Sequence, residues 1–245
     1  MEKYSPINIG SSFKNRWCYT SSCYYHFISS KKRQEKTISL MNDDEVKQIL
    51  LKDLKFTEND VTKLEVLKKS LLEYNSKYNL ISKSTEKSIW SRHILDSAQL
   101  IKYFSTKYEA SLADFGSGAG FPGLIIAIFN KNPKFHVKLY EKSPVKRSFL
   151  NFIKEKLDIK FIVAENIYDE VIEANIVVAR AFKKIDRIIE ISREMIKKPY
   201  KIIILKGKNA QSEINNVSLG SNYRYKFERS ITDTDSKIII VDVKK

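Results

Sequence analysis

Glycine is scarce in this chain, with seven in 245 residues, and cysteine is scarcer, with Cys18 and Cys23 alone. Two cysteines confined to one end cannot staple a fold, and such usage suits a reducing compartment. With His26 they spell C-x4-C-x2-H, three ligands with no fourth close in sequence, so no metal site is expected. No apolar run approaches ~18 residues, which excludes an ordinary membrane-spanning helix. The runs GLIIAIF and KIIIVDV have the size of core pieces. Acids are also short: 29 Asp and Glu against 44 Lys and Arg leave a net charge of +15. A field of that sign favours polyanions, nucleic acid above all. Codon drift toward lysine in an AT-rich genome produces the same composition.

Residues 1–40 differ from the remainder. They hold eight serines, seven Lys or Arg, two acids and seven aromatics without period. That composition fits either an organellar transit peptide or, as we read it, a disordered or mis-assigned extension ahead of a true start at Met41. A helical period begins after Met41. Val46, Ile49, Leu50 and Leu54 share one face, and Thr57-x-x-Asp60 is a capping box for a helix carrying Val61, Leu64, Leu67, Leu71, Tyr74 and Tyr78. A third helix is expected over about 86–103. From Ser111 strands and helices alternate. SLADF, HVKLYE, KFIVAE, NIVVAR and KIIILKG read as buried parallel strands, with helices near 121–130, 144–157, 185–197 and 209–217. The segment between Glu165 and Asn175 is too short for a helix. YRYKFERSI, TDTDS and KIIIVDV close the chain as an antiparallel hairpin.

Four of the seven glycines crowd into LADFGSGAGFPG, between the first strand and its helix. Doubly wound folds bind nucleotides there. A tight turn alone needs fewer glycines, so a ligand is expected. Gly118, Gly120 and Gly123 satisfy the dinucleotide fingerprint G-x-G-x-x-G. Asp114, Gly116, Gly118 and Gly120 satisfy the pattern of S-adenosylmethionine sites. A carboxylate at Asp114 repels a pyrophosphate and suits the cationic amino end of a methionine moiety. Glu141, ending the second strand, suits ribose hydroxyls in either case. The terminal hairpin favours a methyltransferase.

YNLIS, RHILDS, DFGSGAGFPGL, VARAF and LKG occur in this order and spacing. Together they resemble the bacterial small-subunit ribosomal RNA methyltransferases of the glucose-inhibited division protein B family, from about Asp44 onward. The resemblance implies an α/β fold: a seven-stranded, Rossmann-like, S-adenosylmethionine-dependent methyltransferase domain over 105–245 beneath an N-terminal helical cap over 41–104. It implies S-adenosyl-L-methionine as cofactor, 7-methylguanosine in 16S rRNA as product, and a cytoplasmic monomer acting on that RNA or the small ribosomal subunit, away from membranes. By motif, Gly116 and Phe121 match cofactor contacts, Ile167 and Tyr168 an adenine-binding pair, and Arg180 a binding-site arginine. Phe121 stands where leucine is commoner and Glu141 where aspartate is commoner; both changes keep the chemistry.

The nitrogen at guanine position seven has a free lone pair and no proton, so no general base is expected. Carbon-five methylation of cytosine needs a cysteine, and adenine amines usually come with an Asn/Asp-Pro-Pro-aromatic motif where this chain reads ARAF. Arg92, His93, Arg147 and Lys206 are candidates for substrate or RNA contact; for Arg92 and His93 the alternative is a polar helix face packed on the domain. Two other functions fit parts of the pattern: an NAD(P)-dependent oxidoreductase, and a non-catalytic RNA-binding protein with this fold.

Overall fold

A computed structural model describes residues 41–217 and 220–245. The expectations for 1–40, including Cys18, Cys23 and His26, lie outside them.

Helix α1 (Asp43–Gln48) begins at an Asn42 cap whose Oδ1 accepts from the Glu45 N–H at 2.8 Å, and Glu45 returns the bond to Asn42. It runs on through a π-type turn, Ile49–Asp53. Helix α2 (Glu58–Asn75) starts at the expected Thr57–Asp60 capping box. The third expected helix is not one regular helix. It is a composite of a 3₁₀ turn (Lys83–Ser88), a π-helical segment (Trp90–Leu95), a short helix α3 (Asp96–Ala98) and a second 3₁₀ turn (Gln99–Tyr103). Its side chains still fall on a buried face, because Ile89, Trp90, Ile94, Leu95, Ala98 and Leu100 are all at most 1% exposed.

Strands and helices then alternate: β1 (Ala110–Phe115), α4 (Gly123–Phe129), β2 (Phe135–Tyr140), α5 (Pro144–Lys156), β3 (Ile162–Ala164), β4 (Ile176–Arg180), α6 (Ile185–Met195), β5 (Tyr200–Lys206), α7 (Ala210–Asn215), β6 (Tyr223–Arg229) and β7 (Lys237–Val243). The sheet order is β3-β2-β1-β4-β5-β7-β6. The first five strands are parallel, and β7 lies antiparallel between β5 and β6. Reversal of order at β1 and β4 opens a crevice at their carboxyl ends, where such sheets bind ligands.

Two apolar layers cover the sheet. One joins its near face to α4, α5 and the N-terminal helices, through Leu64, Leu67, Leu71, Trp90, Leu124 and Phe149. The other packs α6 and α7 on the far face, through Ile188, Ile191 and Ile214. No helix among the described residues is long and apolar enough to cross a membrane.

Candidate functional site

The turn after β1 hangs from β2. The N–H groups of Gly116 and Ser117 both donate to the Tyr140 carbonyl, at 2.9 and 3.0 Å, and those of Gly120 and Phe121 donate to the Ser117 carbonyl. The glycines do different work. A Cβ on Gly116 would lie 2.2 Å from the Phe182 ring, one on Gly120 would lie 2.7 Å from Leu124, and one on Gly123 would lie 2.2 Å from Leu139. These three permit close packing. Gly118 shares a positive φ (+60°) with Gly116 and Gly120 but differs in its space: a Cβ there would meet nothing within 4 Å. Its free side faces open space in a cleft that the loop walls.

Asp114 lies behind this loop rather than in the cleft wall. It is fully buried, and its Oδ2 accepts from the Gly123 N–H at 2.8 Å, a carboxylate at the start of α4. Burial lifts its pKa from 3.8 to about 7, against the pull of the Gly123 N–H and Arg180. Its Oδ1 and the nearby Ser117 Oγ are buried polar atoms with no hydrogen-bond partner in the described protein.

The cleft has a volume of about 380 Å³. Gly116, Gly118, Phe121, Glu141, Ile167 and Arg180 line it, as does His93; Asp114, Gly120 and Tyr168 do not. Glu141 accepts from the Gly118 N–H (2.7 Å) through Oε2 and from the Ser143 N–H (2.8 Å) through Oε1. Tyr168 stands at an exposed edge with Lys142 over its ring. Arg147 braces the rim, donating to the carbonyls of Glu141 and Lys142 and pairing with Glu165 at 3.0 Å. Leu80 and Ile81 form part of the wall, and sequence reading missed why they sit there. The buried Asn75 side chain accepts from both of their N–H groups, at 2.8 and 2.9 Å. Asn75 sits in the EYNSKYNLIS stretch, where nothing in the spacing marks it out.

A second cleft, of about 340 Å³, opens at the carboxyl ends of β4 and β5 beneath the composite helix and the β6–β7 turn. The two clefts share His93, Arg180 and Ala181. Ala181 has φ +50°, an uncommon backbone for a side-chain-bearing residue, of the kind found where surroundings impose it. Arg180 is the hub. It donates to the Arg92 carbonyl at 2.7 Å, to Asp96 Oδ2 at 3.4 Å and to His93 Nδ1 at 2.6 Å. Its guanidinium lies 5.3 Å from the Phe121 ring centroid. Asp96 Oδ1 in turn accepts from Thr232 and Gln99, tying the composite helix to the β6–β7 turn. Burial first, then the charges of Arg180 and Arg92, press the His93 pKa down to about 3. Arg92 reaches across to Asp233 at 2.8 Å. Lys206 lines the second cleft with its ammonium bound to Glu213 and to the Lys183 carbonyl.

The family model described as rRNA small subunit methyltransferase G, GidB, matches residues 60–237. The chain is 33% identical to ribosomal RNA small subunit methyltransferase G of Pelagibacter ubique over 202 residues, covering 80% of this chain and 93% of that protein. It is 36% identical to the protein of the same name from Orientia tsutsugamushi, covering 71% of this chain and 85% of that one. In fold it is similar to a mutant of MtNAS (TM-score 0.51, 11% identity, 85% of this chain and 84% of that one). The crystal structure of such a mutant in complex with S-adenosylmethionine matches with TM-score 0.50 and 12% identity, covering 84% of this chain and 86% of that one.

Proposed function

Because the chain belongs to the rRNA small subunit methyltransferase G (GidB) family, we propose that its two joined clefts are the donor and acceptor halves of one methyl-transfer site, and that the acceptor is nitrogen seven of a guanine in 16S rRNA. The protein is an S-adenosylmethionine-dependent rRNA methyltransferase. The dinucleotide fingerprint that suggested an oxidoreductase has another explanation, since Gly120 and Gly123 serve packing.

The donor cleft fits the cofactor on three counts. Gly118 leaves its side open, Glu141 follows β2 as an acid bonded to the loop, and Ser117, whose Oγ is unpartnered, lies in the wall. Gly116, Gly118, Phe121, Glu141 and Ile167 would hold S-adenosylmethionine, with Tyr168 at the rim, Asp114 and Gly120 shaping the loop from behind, and Arg180 at the junction. Bound there, the cofactor supplies a methyl group on a sulfonium, open to displacement. Displacement requires nucleophile, carbon and sulfur in line, so the protein's work is orientation.

One observation favours this choice of acceptor: His93 and Asp96, the described groups at the junction that could take up a proton, are engaged within the protein. The His93 Nδ1 lone pair is taken by Arg180, and both Asp96 oxygens accept from Arg180, Thr232 or Gln99. An acceptor that must lose a proton is poorly served here; guanine N7 needs no base. Arg92 and Lys206 flank the acceptor cleft, where they would meet RNA, while Arg147 supports the opposite rim. The finer organisation we propose is a helical cap over 41–104, a methyltransferase domain over 105–245, and a monomer working in the cytoplasm.

The test is incubation of ribosomal RNA or small subunits with labelled donor, followed by nucleoside analysis. We expect 7-methylguanosine, and Arg180→Ala should lower the single-turnover rate at saturating substrates by about tenfold or more. Labelled 5-methylcytidine or an N-methyladenosine would overturn the acceptor assignment.

A further inference from the structure

We propose that His93 is a positioning residue, a neutral imidazole fixed in one tautomer, whose Nδ1 lone pair aims the Arg180 guanidinium at the junction of the two clefts. The proposal rests on the reading of those clefts as donor and acceptor sites.

The direction of every hydrogen bond in this chain of groups follows from its ends. A guanidinium only donates. The 2.6 Å contact between Arg180 Nη2 and His93 Nδ1 therefore requires a lone pair on Nδ1. A neutral ring with a bare Nδ1 carries its proton on Nε2. Nε2 stands 2.9 Å from Thr85 Oγ1, which must then accept. Thr85 is free to accept because its own hydroxyl hydrogen goes to the Ser82 carbonyl at 2.9 Å. The relay thus starts at a cation that cannot lose its proton and ends at a carbonyl that cannot give one.

The ring is also held by its faces. His93 packs on Phe121 with centroids 5.0 Å apart, and Arg180 lies over the same phenyl ring. The charged groups around it are Arg180 on β4 and Arg92 on its own segment, both cationic, with Asp96 engaged by Arg180. Protonation of Nδ1 would place a third cation here and would break the bond to Arg180. The same geometry separates His93 from direct work on RNA. Both of its nitrogens are occupied inside the protein, so its effect on the reaction runs through Arg180.

Nitrogen-detected NMR on the free, full-length protein tests the tautomer without any assumption about the reaction. The His93 signals, assigned by their loss in His93→Asn, should show a proton-free Nδ1 and a protonated Nε2, unchanged from about pH 5 to pH 9. A ring that titrates near its ordinary value, or a protonated Nδ1, overturns the proposal. Single-turnover methylation tests the positioning. His93→Leu should slow it about tenfold or more with S-adenosylmethionine affinity nearly kept, whereas His93→Asn, which offers an oxygen near the Nδ1 position, should recover most of the rate. Thr85→Val, which leaves the ring in place, should lower the rate, and Thr85→Ser should restore it. Equal rates in His93→Leu and His93→Asn, or no effect of Thr85→Val, also overturn it. If the NMR result holds but no methylation is seen in the wild type, the failure lies with the two-cleft reading instead.

Discussion

Asp114 and Gly118 show how differently neighbouring residues of one motif are used. The folded Asp114 carboxyl titrates near 7 because it is buried, while an unfolded one titrates near its ordinary 3.8. Between these values the folded state holds more protons, so stability must fall as pH rises through that window. Asp114→Asn copies the protonated side chain and lacks this dependence. In urea titrations the wild type should lose stability relative to Asp114→Asn between about pH 4.5 and pH 7.5; a difference that stays constant with pH would show that Asp114 is ionised in the fold. At Gly118, alanine adds a methyl group to the open cleft and a left-handed strain of about 1 kcal/mol. Gly118→Val should weaken S-adenosylmethionine binding by about tenfold or more, ~1.4 kcal/mol. Gly123→Ala instead drives a Cβ into Leu139 and Asp114. It should cost about 1–3 kcal/mol of stability. Calorimetry with parallel thermal melts separates the two effects, and equal loss of affinity and stability in both variants would contradict the division.

At the scale of elements, the end of α2 matters more than its length. Asn75 closes the helix by gathering the N–H groups of Leu80 and Ile81 and by donating to Glu86 at 2.6 Å. Asn75→Ala leaves the Ile81 N–H without its partner, while that of Leu80 keeps its bond to the Tyr78 carbonyl, so about 1–3 kcal/mol is lost from the one unpaired group. A fall in melting temperature together with weaker cofactor binding is expected, since Leu80 and Ile81 wall the donor cleft; a fall in stability with affinity intact would confine Asn75 to the fold. This residue also marks a limit of sequence reading. β-branched runs such as NIVVAR and KIIILKG announce strands because burial on both faces leaves little else they can be. The capping box at Thr57 is equally legible, being local. The breaks in 83–103 are not. Apolar residues at spacings of three and four satisfy 3₁₀, α and π turns alike, and which one forms depends on tertiary partners such as Arg180, Asp233 and Thr232. Asp114 was legible as important and illegible in orientation, because a pattern of residue types does not say whether a carboxylate faces a ligand or the helix behind it.

The whole molecule carries a net charge of +15, and its relatives are named for ribosomal RNA. If that charge serves binding, affinity for RNA should fall steeply as salt rises, by about three orders of magnitude or more between 50 and 200 mM if roughly six phosphates are contacted. A flat titration would assign the charge to composition alone. The placement of β7 has a different consequence, one of timing. β5 and β6 do not pair with each other: β5 has β4 on one side, and its other side and β6 both pair with Lys237–Val243 between them. On the ribosome, β5 follows β4, its partner on one side, and leaves Ile202, Ile203 and Ile204 along an opposite edge that has no partner yet. β6 follows and finds no neighbour. Both wait for the last of the described strands, which must slide into a slot already bounded on two sides. Birth order and spatial order part company at this point, and the unclaimed edge is an invitation to a neighbouring nascent chain until the closing strand arrives.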